Sequence, residues 1–260
     1  MNSVFFDQIG RNLNVNETPR RIISLVPSIT ELLYDIGLIG QLIGRTKFCV
    51  HPKEALKAIP IVGGTKQVHL ERVEQLQPDL IIANKEENQK DQIEALAKKY
   101  PIWISDVPHF DSALDMISGL GKVLRKEMAC NQIIQQSKAL QVSLSTNNRQ
   151  KAAYLIWRNP YMTIGKDTYI HDLMRLTGFD NVFDPQTRYP IVTLEELKSA
   201  HPDVILLSSE PFPFKEKHIE ELAAHLPNIP IQLVDGEAFS WYGTRFIKKF
   251  EYLKALPNTF

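Results

Sequence analysis

The chain has 260 residues, a length typical of two compact domains or of one large domain. Its 30 basic and 30 acidic residues give a formal net charge of zero, so it lacks the basic excess of a nucleic-acid-binding protein. Hydrophobic residues make up 43% of the chain, and no apolar run approaches the roughly 20 residues that span a bilayer. Composition therefore predicts a globular protein with neither a nucleic-acid partner nor a direct membrane span.

Short apolar runs, typical of buried strands, alternate with helical patterns along the chain. In chain order, the predicted strands are 21–26, 41–46, 79–83, 102–105, 151–157, 203–208 and 231–234. The predicted helices are 30–36, 70–76, 88–99, 111–124, 126–146, 168–176, 194–200 and 215–226. This alternation predicts a layered α/β architecture with mainly parallel sheets.

An internal repeat divides the pattern into two related halves. Residues 70–82 match residues 194–206 at a constant offset of 124, with a Glu, a Pro-Asp pair and an apolar strand in register. Residues 101–106 resemble residues 230–235 in the same way, each a proline followed by a strand that ends at an aspartate. Two matches in the same order predict two similar Rossmann-like lobes.

The segment between the two halves is helical in composition. A single helix over 126–146 would be about 30 Å long, close to the width of a small domain. Residues 146–150 then read as its polar exit loop. We therefore predict an N-terminal α/β lobe over 1–110, a helical segment with an interlobe backbone helix over 111–149, and a C-terminal α/β lobe over 150–260.

Candidate binding residues follow the predicted strands, because ligands of open α/β sheets bind beyond the carboxyl ends of the strands. In this architecture those ends are expected to line a ligand cleft between the lobes. Ser28 and Glu31, after the first strand, have capping-box spacing and predict a helix cap. Phe48, Cys49 and His51 follow the second strand, and Lys66 follows a Gly-Gly turn.

Cys49 and His51 would share a face if the chain is extended there, so a soft metal could use both. Two ligands do not make a site, and no CxxC or HExxH motif accompanies them. A buried thiol and a pocket imidazole are the favoured interpretation, and no metal site is predicted. Whether Cys49 and Cys130 are bridged stays open, since one long-range disulfide is compatible with the sequence.

Further candidates follow the strands of the repeat and of the C-terminal half. Glu86 and Glu210 are equivalent by the offset of 124, and a pair of carboxylates could move protons, coordinate a cation or receive a basic ligand group. The remaining candidates in the C-terminal half are acidic, aromatic or apolar and suit a flat ligand. They are Trp157, Tyr161, Met162, Tyr189, Glu237, Trp241 and Tyr242.

Enzyme signatures are missing: the chain has no GxSxG and no phosphate-binding P-loop motif. An ordered set of motifs instead resembles the class III substrate-binding proteins of ABC importers, of the helical-backbone metal receptor type. The nearest pattern is that of the vitamin B12-binding and iron-chelate-binding members. The motifs lie at 21–31, 62–64, 70–73, 78–81, 163–170 and 180–183.

The resemblance implies two α/β lobes joined by one helix, and a binding protein rather than an enzyme. By position, Glu71 and Glu195 match the acidic residues that dock onto the permease of the importer, and Phe48, Met162 and Tyr189 match corrinoid contacts. Lys66 or Thr65 stands where a tryptophan is expected. The implied ligand is a cobalamin-like corrinoid or another metal chelate, carried as cargo and not as an intrinsic cofactor.

Two alternatives stay open on the same architecture. One is a cytosolic chelatase-like enzyme in which His51, Glu86 or Glu210 moves protons. The other is a cytosolic corrinoid or metal carrier. The resemblance implies the periplasm or cell envelope, whereas residues 1–20 lack the basic and apolar regions of a secretory signal. Two explanations stay open: the leader lies outside this sequence, or the protein works in the cytoplasm.

Overall fold

The computed structural model describes residues 3–15, 18–144 and 149–259. It begins with an antiparallel hairpin of β1 (Ser3–Phe6) and β2 (Asn12–Val15), which the sequence pattern did not predict. Asp7 is buried in its turn and accepts hydrogen bonds from the amides of Ile9 and Arg11. The second carboxylate oxygen of Asp7 accepts one from the Ile104 amide at 3.3 Å, which attaches the hairpin to the sheet that follows.

The first sheet has four parallel strands in the order β4-β3-β5-β6. They are β3 (Ile22–Ser24), β4 (Leu42–Arg45), β5 (Leu80–Asn84) and β6 (Ile102–Ser105). The helices that connect them are α1 (Pro27–Asp35), α2 (Lys53–Leu56), α3 (Leu70–Leu76) and α4 (Lys90–Ala97). The sheet is covered on both faces, so β3 and β5 are buried along their whole length.

Two helices follow this sheet, α5 (Phe110–Val123) and α6 (Glu127–Val142). The sequence places glycines in α5 because neighbouring atoms leave no room for a side chain. A Cβ atom on Gly119 would lie 2.5 Å from the Trp103 ring, and one on Gly121 would lie 2.9 Å from Cβ of Cys130. Helix α6 ends four residues before the predicted limit, and Thr146–Asn148 of the predicted exit loop lie outside the described residues.

The second sheet also has four parallel strands, in the order β10-β9-β7-β8. They are β7 (Gln150–Leu155), β8 (Phe179–Asn181), β9 (Val204–Ser208) and β10 (Ile231–Val234). The helices of this part are α7 (Tyr169–Leu176), α8 (Leu194–Ser199), α9 (Glu216–His225), α10 (Gly236–Ser240), α11 (Arg245–Lys248) and α12 (Phe250–Ala255).

The two sheets have the same strand order, since β4-β3-β5-β6 corresponds to β8-β7-β9-β10. The predicted α/β architecture with parallel sheets is therefore confirmed. The repeated Pro-Asp motif has one structural role in both halves. Asp79 accepts the amides of Arg20 and Arg21 at the start of β3, and Asp203 accepts the amide of Lys151 in β7.

The residue before each Pro-Asp pair has a left-handed backbone, with φ of 44° at Gln77 and 46° at His201. This conformation ends helix α3 in the first half and follows α8 in the second. The prolines then direct the chain into β5 and β9.

Each sheet has its own hydrophobic core. The first is built around the sheet residues Ile23, Ile81 and Ile104, and the second around Ala153, Ile205 and Leu207. The chain divides accordingly into two compact units. The first comprises Met1–Val107, Asp111–Gln136 and Tyr242–Thr244, and the second Pro108–Phe110, Ser137–Trp241 and Arg245–Phe260.

This division differs from the predicted domain boundaries in three respects. Residues Pro108–Phe110 belong to the second unit, although they were predicted in the N-terminal lobe. The change from the first to the second unit falls inside α6, between Gln136 and Ser137, so the helical segment does not form a part of its own. Residues Tyr242–Thr244 belong to the first unit although the sequence pattern placed them in the C-terminal lobe.

The predicted capping box at Ser28 and Glu31 is wrong. Helix α1 begins at Pro27 with Val26 as its N-cap residue, and no side chain caps it. Proline suits the first helical position because it has no amide hydrogen to satisfy there. Ser28 therefore lies within the first turn of the helix.

Candidate functional site

The turn that follows β4 exposes an aromatic ring on a fixed backbone. The guanidinium of Arg45 donates to the carbonyl oxygens of Thr46 and Cys49, at 3.2 and 3.1 Å. The Cys49 amide donates to Thr46 O at 3.2 Å, and the Lys47 amide donates to Gly63 O at 2.8 Å. The side chain of Phe48 nevertheless remains 49% exposed. The turn therefore holds an exposed Phe48 ring on a hydrogen-bonded backbone.

Cys49 anchors this turn from the inside and is not available to a ligand. Its side chain is fully buried, and its Sγ lies 3.0 Å from the hydroxyl oxygen of Thr30 and 3.2 Å from that of Thr46. Burial raises the pKa of the Cys49 thiol, which disfavours the thiolate that metals bind. The prediction of Cys49 as a ligand contact is therefore wrong, whereas His51, two residues later, is half-buried.

A glycine turn brings Lys66 beside the loop that follows β5. Gly63 has a φ of 132°, and a Cβ atom there would lie 2.3 Å from Gln67 O, so only glycine fits. The Asn88 side chain donates to Thr65 O at 3.0 Å, and the Lys66 ammonium donates to Glu86 O at 2.5 Å.

Buried amide side chains fix the loop that carries Glu86 and Glu87. The Asn84 side-chain oxygen accepts the amides of both glutamates, at 2.8 and 3.0 Å, and Asn88 accepts the Asn84 amide at 2.8 Å. Asn84 also donates to the hydroxyl of Ser105 at 3.1 Å. The sequence analysis did not predict this network. The sequence does contain a sign of it, because Asn84 directly follows the predicted apolar strand 79–83 and Asn88 follows four residues later.

Tyr242 lies in the first unit, beside the same loop. Its side chain is buried, and its hydroxyl donates to Oε1 of Glu87 at 3.3 Å. Burial and the neighbouring Glu87 carboxylate raise the pKa of Tyr242 well above its ordinary value, so the phenol remains protonated. Thr244 donates to the carboxylate of Asp35, which fixes the same segment to helix α1. These contacts suit a structural role for Tyr242 and correct its predicted role as a ligand contact.

In the first unit, several side chains that follow the carboxyl ends of β4 and β5 remain exposed or half-buried. We call four of them the N-terminal strand-end surface: Lys47, Phe48, Lys66 and Glu86.

The second unit has an apolar patch beyond the end of β7. Backbone bridges pair Trp157 with Met162 and Met162 with Ile191. The Trp157 ring is 40% exposed and meets the edge of Phe212 at a centroid distance of 5.8 Å, and Ile191 is 61% exposed. We call Trp157, Met162 and Ile191 the C-terminal apolar patch. Ile191 was not predicted, and the predicted Tyr189 lies half-buried two residues before it.

Tyr161, next to Met162, uses its hydroxyl within the protein. The hydroxyl lies 3.3 Å from Oε1 of Glu221, and the Arg158 guanidinium donates to both carboxylate oxygens of Glu221 at 2.7 Å. The Arg158 pair lowers the pKa of Glu221. Tyr161 therefore packs at the rim of the second core and is bound to an ion pair of helix α9.

Glu210, after β9, is held by two donors. Its Oε1 accepts from the Ser240 hydroxyl at 2.5 Å and from the Trp241 indole nitrogen at 2.9 Å. Burial raises the pKa of Glu210, and the carboxylates of Glu237 and Asp235 raise it further, while the two hydrogen bonds oppose this change. The Glu210 side chain is half-buried, and its two donors hold the carboxylate in one orientation.

Two further predicted residues pack against a buried cation. The Arg245 guanidinium lies 3.4 Å from a Glu237 carboxylate oxygen and 4.8 Å from the Trp241 ring centroid. Trp241 is buried, and its indole nitrogen donates to Glu210. The Trp241 ring is therefore covered within its own unit, which disagrees with its predicted role as an open ligand contact.

Comparisons with known proteins identify the family. A family model described as periplasmic binding protein matches residues 22–227, a span that includes both sheets. The chain belongs to the periplasmic binding protein family. Members of this family bind a solute and do not transform it, so this periplasmic binding protein is not an enzyme, and the chelatase-like alternative is set aside.

Two curated relatives extend the comparison. A vitamin B12-binding protein of Vibrio parahaemolyticus is 28% identical over 199 residues, covering 74% of this chain and 72% of that protein. The ABC transporter substrate-binding lipoprotein YvrC of Bacillus subtilis, described as uncharacterised, is 26% identical and covers 98% of this chain and 85% of that protein.

Solved structures show the same fold as this periplasmic binding protein. The vitamin B12-binding protein BtuF of Vibrio cholerae matches with a TM-score of 0.77 at 22% identity, over 91% of this chain and 96% of that one. The heme-binding protein BhuT in complex with two hemes matches with a TM-score of 0.78 at 20% identity, over 90% and 96%. At these identities the likeness concerns the fold.

Glu71 and Glu195 occupy equivalent places in the two units of the binding protein. Each is exposed at the second position of its helix, α3 or α8. In α8 the capping box uses Thr193 and Glu196, as predicted, so Glu195 is left outside the cap.

Within 3–15, 18–144 and 149–259, no cluster of three or more His, Cys, Asp or Glu side chains has the geometry to hold a metal ion. Among the helices described in those ranges, none is both long enough and apolar enough to cross a bilayer. Cys49 and Cys130 are both free thiols.

Proposed function

We propose that this protein is the substrate-binding component of an ABC importer and that its substrate is a metal chelate. The observation that carries the proposal is the family match over residues 22–227. Relatives and solved neighbours whose names state a ligand or a transporter support it: they bind vitamin B12 or heme, or belong to an ABC transporter.

The exposed side chains at the strand ends suit such a cargo. The first unit presents the Phe48 ring, and the second presents the C-terminal apolar patch. Flat or apolar surfaces of this kind bind the faces of macrocycles and of chelating aromatic groups. We propose that Phe48, His51, Lys66, Glu86, Trp157, Met162, Tyr189, Glu210 and Glu237 form or support the ligand-contacting surface of their own unit.

A corrinoid is the first ligand to test because the curated relatives include vitamin B12-binding proteins. Calorimetry with cobalamin and dicyanocobinamide, together with native mass spectrometry of protein purified from its own host, tests the proposal. Saturable binding of one chelate per chain is the expected result. A chain that carries no ligand from its host and gives no heat with cobalamin, dicyanocobinamide, hemin or a ferric catecholate would refute the proposed function.

We further propose that Glu71 and Glu195 dock the loaded protein onto the permease. Their carboxylates are exposed, and each lies at a helix N-terminus where a negative charge is favourable. One such carboxylate occurs at the same place in each half of the internal repeat. A partner with two basic pockets would match this arrangement. Delivery to a permease implies work in the periplasm or at the cell envelope.

A further inference from the structure

An exposed aromatic ring and two lysines occur together on the N-terminal strand-end surface. The Lys47 ammonium lies 5.0 Å from the centroid of the Phe48 ring. Gly64 packs against both residues, since a Cβ atom placed on it would lie 3.4 Å from Phe48 Cε2 and 3.6 Å from Lys47 Cε. Lys66 follows Gly64 by two residues, and its ammonium group lies on the loop that follows β5, where it donates to Glu86 O.

Neither ammonium group is neutralised by a carboxylate of the described chain. Lys66 donates to a main-chain carbonyl, that of Glu86, and Lys47 contacts the Phe48 ring. The neighbouring Lys85 is different, because it forms an ion pair with Asp106 at 2.5 Å. An ammonium group has three hydrogens to donate, so Lys47 and Lys66 each keep donors for an anion.

The glutamates of this loop form no ion pair with Lys47 or Lys66 among the contacts of the described residues. Glu87 accepts a hydrogen bond from the buried Tyr242 hydroxyl, which directs its carboxylate into the first unit. Glu86 approaches Lys66 through its main-chain oxygen, at 2.5 Å. The surface therefore combines an open ring face with two ammonium groups and the Glu86 carboxylate, so that positive charge is in excess.

We propose that the substrate is a flat, anionic metal chelate, whose ring system stacks on Phe48 and whose anionic groups bind Lys47 and Lys66. This inference rests on the proposed function and narrows its ligand. The side chains of cobinamide are neutral amides and offer these lysines no charge. A carboxylate-bearing tetrapyrrole offers both a flat ring and anions, and a ferric catecholate offers anionic aromatic rings.

Matched ligands and matched variants test the proposal. The probes are hemin, hemin dimethyl ester, which keeps the ring without the carboxylates, a ferric tris-catecholate and dicyanocobinamide. The variants are Lys47→Met, Lys66→Met and their double variant. Lys98→Met is the control, because Lys98 is an exposed lysine of the same unit at the opposite end of helix α4.

We expect hemin or the ferric catecholate to bind, with each of the two variants weakening its binding about tenfold and the double variant about a hundredfold. The lysine variants should bind hemin dimethyl ester with an affinity within about twofold of the wild type, because the ester has no carboxylates for the lysines to bind. The Lys98→Met control should bind hemin with an affinity within about twofold of the wild type. Raising the salt concentration from about 50 to about 500 mM should weaken the wild type more than the double variant.

Several results would overturn the inference and leave the proposed function standing. They are binding of dicyanocobinamide alone, equal affinity for hemin and its ester, or lysine variants that behave like Lys98→Met. If none of the four probes binds and no ligand is carried from the host, the proposed function itself fails. The affinities for hemin and for the ferric catecholate, measured in the same titration, decide whether the anionic groups are those of a tetrapyrrole or those of a catecholate.

Discussion

The surroundings of Glu210 contain groups that stabilise its ionised form and groups that destabilise it. The hydroxyl of Ser240 and the indole of Trp241 stabilise the ionised form, whereas burial and the carboxylates of Glu237 and Asp235 disfavour it. The raised pKa shows that the second effect is larger. A folded-state pKa above the unfolded value means that this contribution to stability is full below about pH 4.5 and is lost as the pH rises through the folded-state pKa.

The substitution Glu210→Gln should therefore raise the free energy of unfolding at pH 7. The glutamine side chain keeps an oxygen that accepts from Ser240 and Trp241 and removes the buried charge, so a gain of up to about 1 kcal/mol is expected. The gain should shrink as the pH falls towards 4.5. Urea unfolding at several pH values measures it. The exposed Glu220→Gln serves as control, and a loss of stability at pH 7 for Glu210→Gln would contradict the argument.

The two cysteines should be inert in the native protein. Both are buried and free, and burial raises the pKa of Cys130 to about 11 and that of Cys49 in the same direction. Thiolate is the reactive form, so labelling by an aromatic disulfide reagent at pH 8 should be at least about a hundredfold slower than in guanidinium. Rapid labelling of one equivalent in native conditions would show that Cys49 or Cys130 is accessible.

At the scale of elements, the Pro-Asp motif gives a comparison between two halves of one molecule. Asp79 uses both carboxylate oxygens, one for the amide of Arg20 and one for that of Arg21. Within the described residues, Asp203 accepts with one carboxylate oxygen, from the amide of Lys151. Asparagine has a single acceptor oxygen, so it can replace Asp203 more fully than Asp79.

Asp79→Asn should therefore destabilise the protein more than Asp203→Asn, by about 1 kcal/mol. Both substitutions remove one charge near the start of a central strand, which makes each the control for the other. Urea unfolding midpoints at constant slope measure the difference. Equal destabilisation by the two variants would show that the carboxylates act through their charge and not through the number of accepted hydrogen bonds.

The elements that could be predicted from the sequence are those with an apolar or amphipathic pattern next to a proline that marks their end or beginning. The strands 102–105 and 231–234 and the helix 70–76 have the predicted bounds. Strand β8 was missed because it has three residues and includes the polar Asp180 and Asn181. The hairpin of β1 and β2 was missed because the prediction relied on strands that alternate with helices. These two strands follow each other directly and form a separate two-stranded sheet.

The site residues were harder to predict because exposure is set by tertiary packing. Phe48 and Cys49 are adjacent and both apolar, yet one is 49% exposed and the other fully buried. The difference comes from three neighbours of Cys49. The Thr30 hydroxyl belongs to helix α1, Arg45 belongs to β4, and Thr46 directly follows that strand. Tyr242 was assigned to the C-terminal lobe because its position in the chain gives no sign that it packs beside Glu87.

At the scale of the whole molecule, a formal net charge of zero leaves no general attraction to a charged partner. Docking to a permease must then depend on local charges, and Glu71 and Glu195 are one exposed carboxylate from each unit. Exposed charges at the edge of a protein–protein interface chiefly set the rate and specificity of association. Reversing the charge of Glu71 and Glu195 should therefore oppose docking to the permease.

The double variant Glu71→Lys with Glu195→Lys should bind its chelate as the wild type does but should lose most transport in a reconstituted importer. A single reversal should cause an intermediate loss, because one contact remains. Each lysine at a helix N-terminus costs about 0.5 kcal/mol of stability, too little to unfold the chain. Substrate uptake into proteoliposomes, with chelate affinity measured on the same preparations, separates docking from binding.

The matched control reverses one exposed glutamate per unit elsewhere, Glu94→Lys on α4 with Glu220→Lys on α9. It makes the same change in net charge, and the Lys90–Glu94 pair that it removes is exposed and contributes little. Uptake should be retained in this control, since global charge does not steer docking. Equal loss of uptake in both double variants would show that net charge matters, and full uptake by the Glu71→Lys, Glu195→Lys variant would exclude these two carboxylates as the docking contacts.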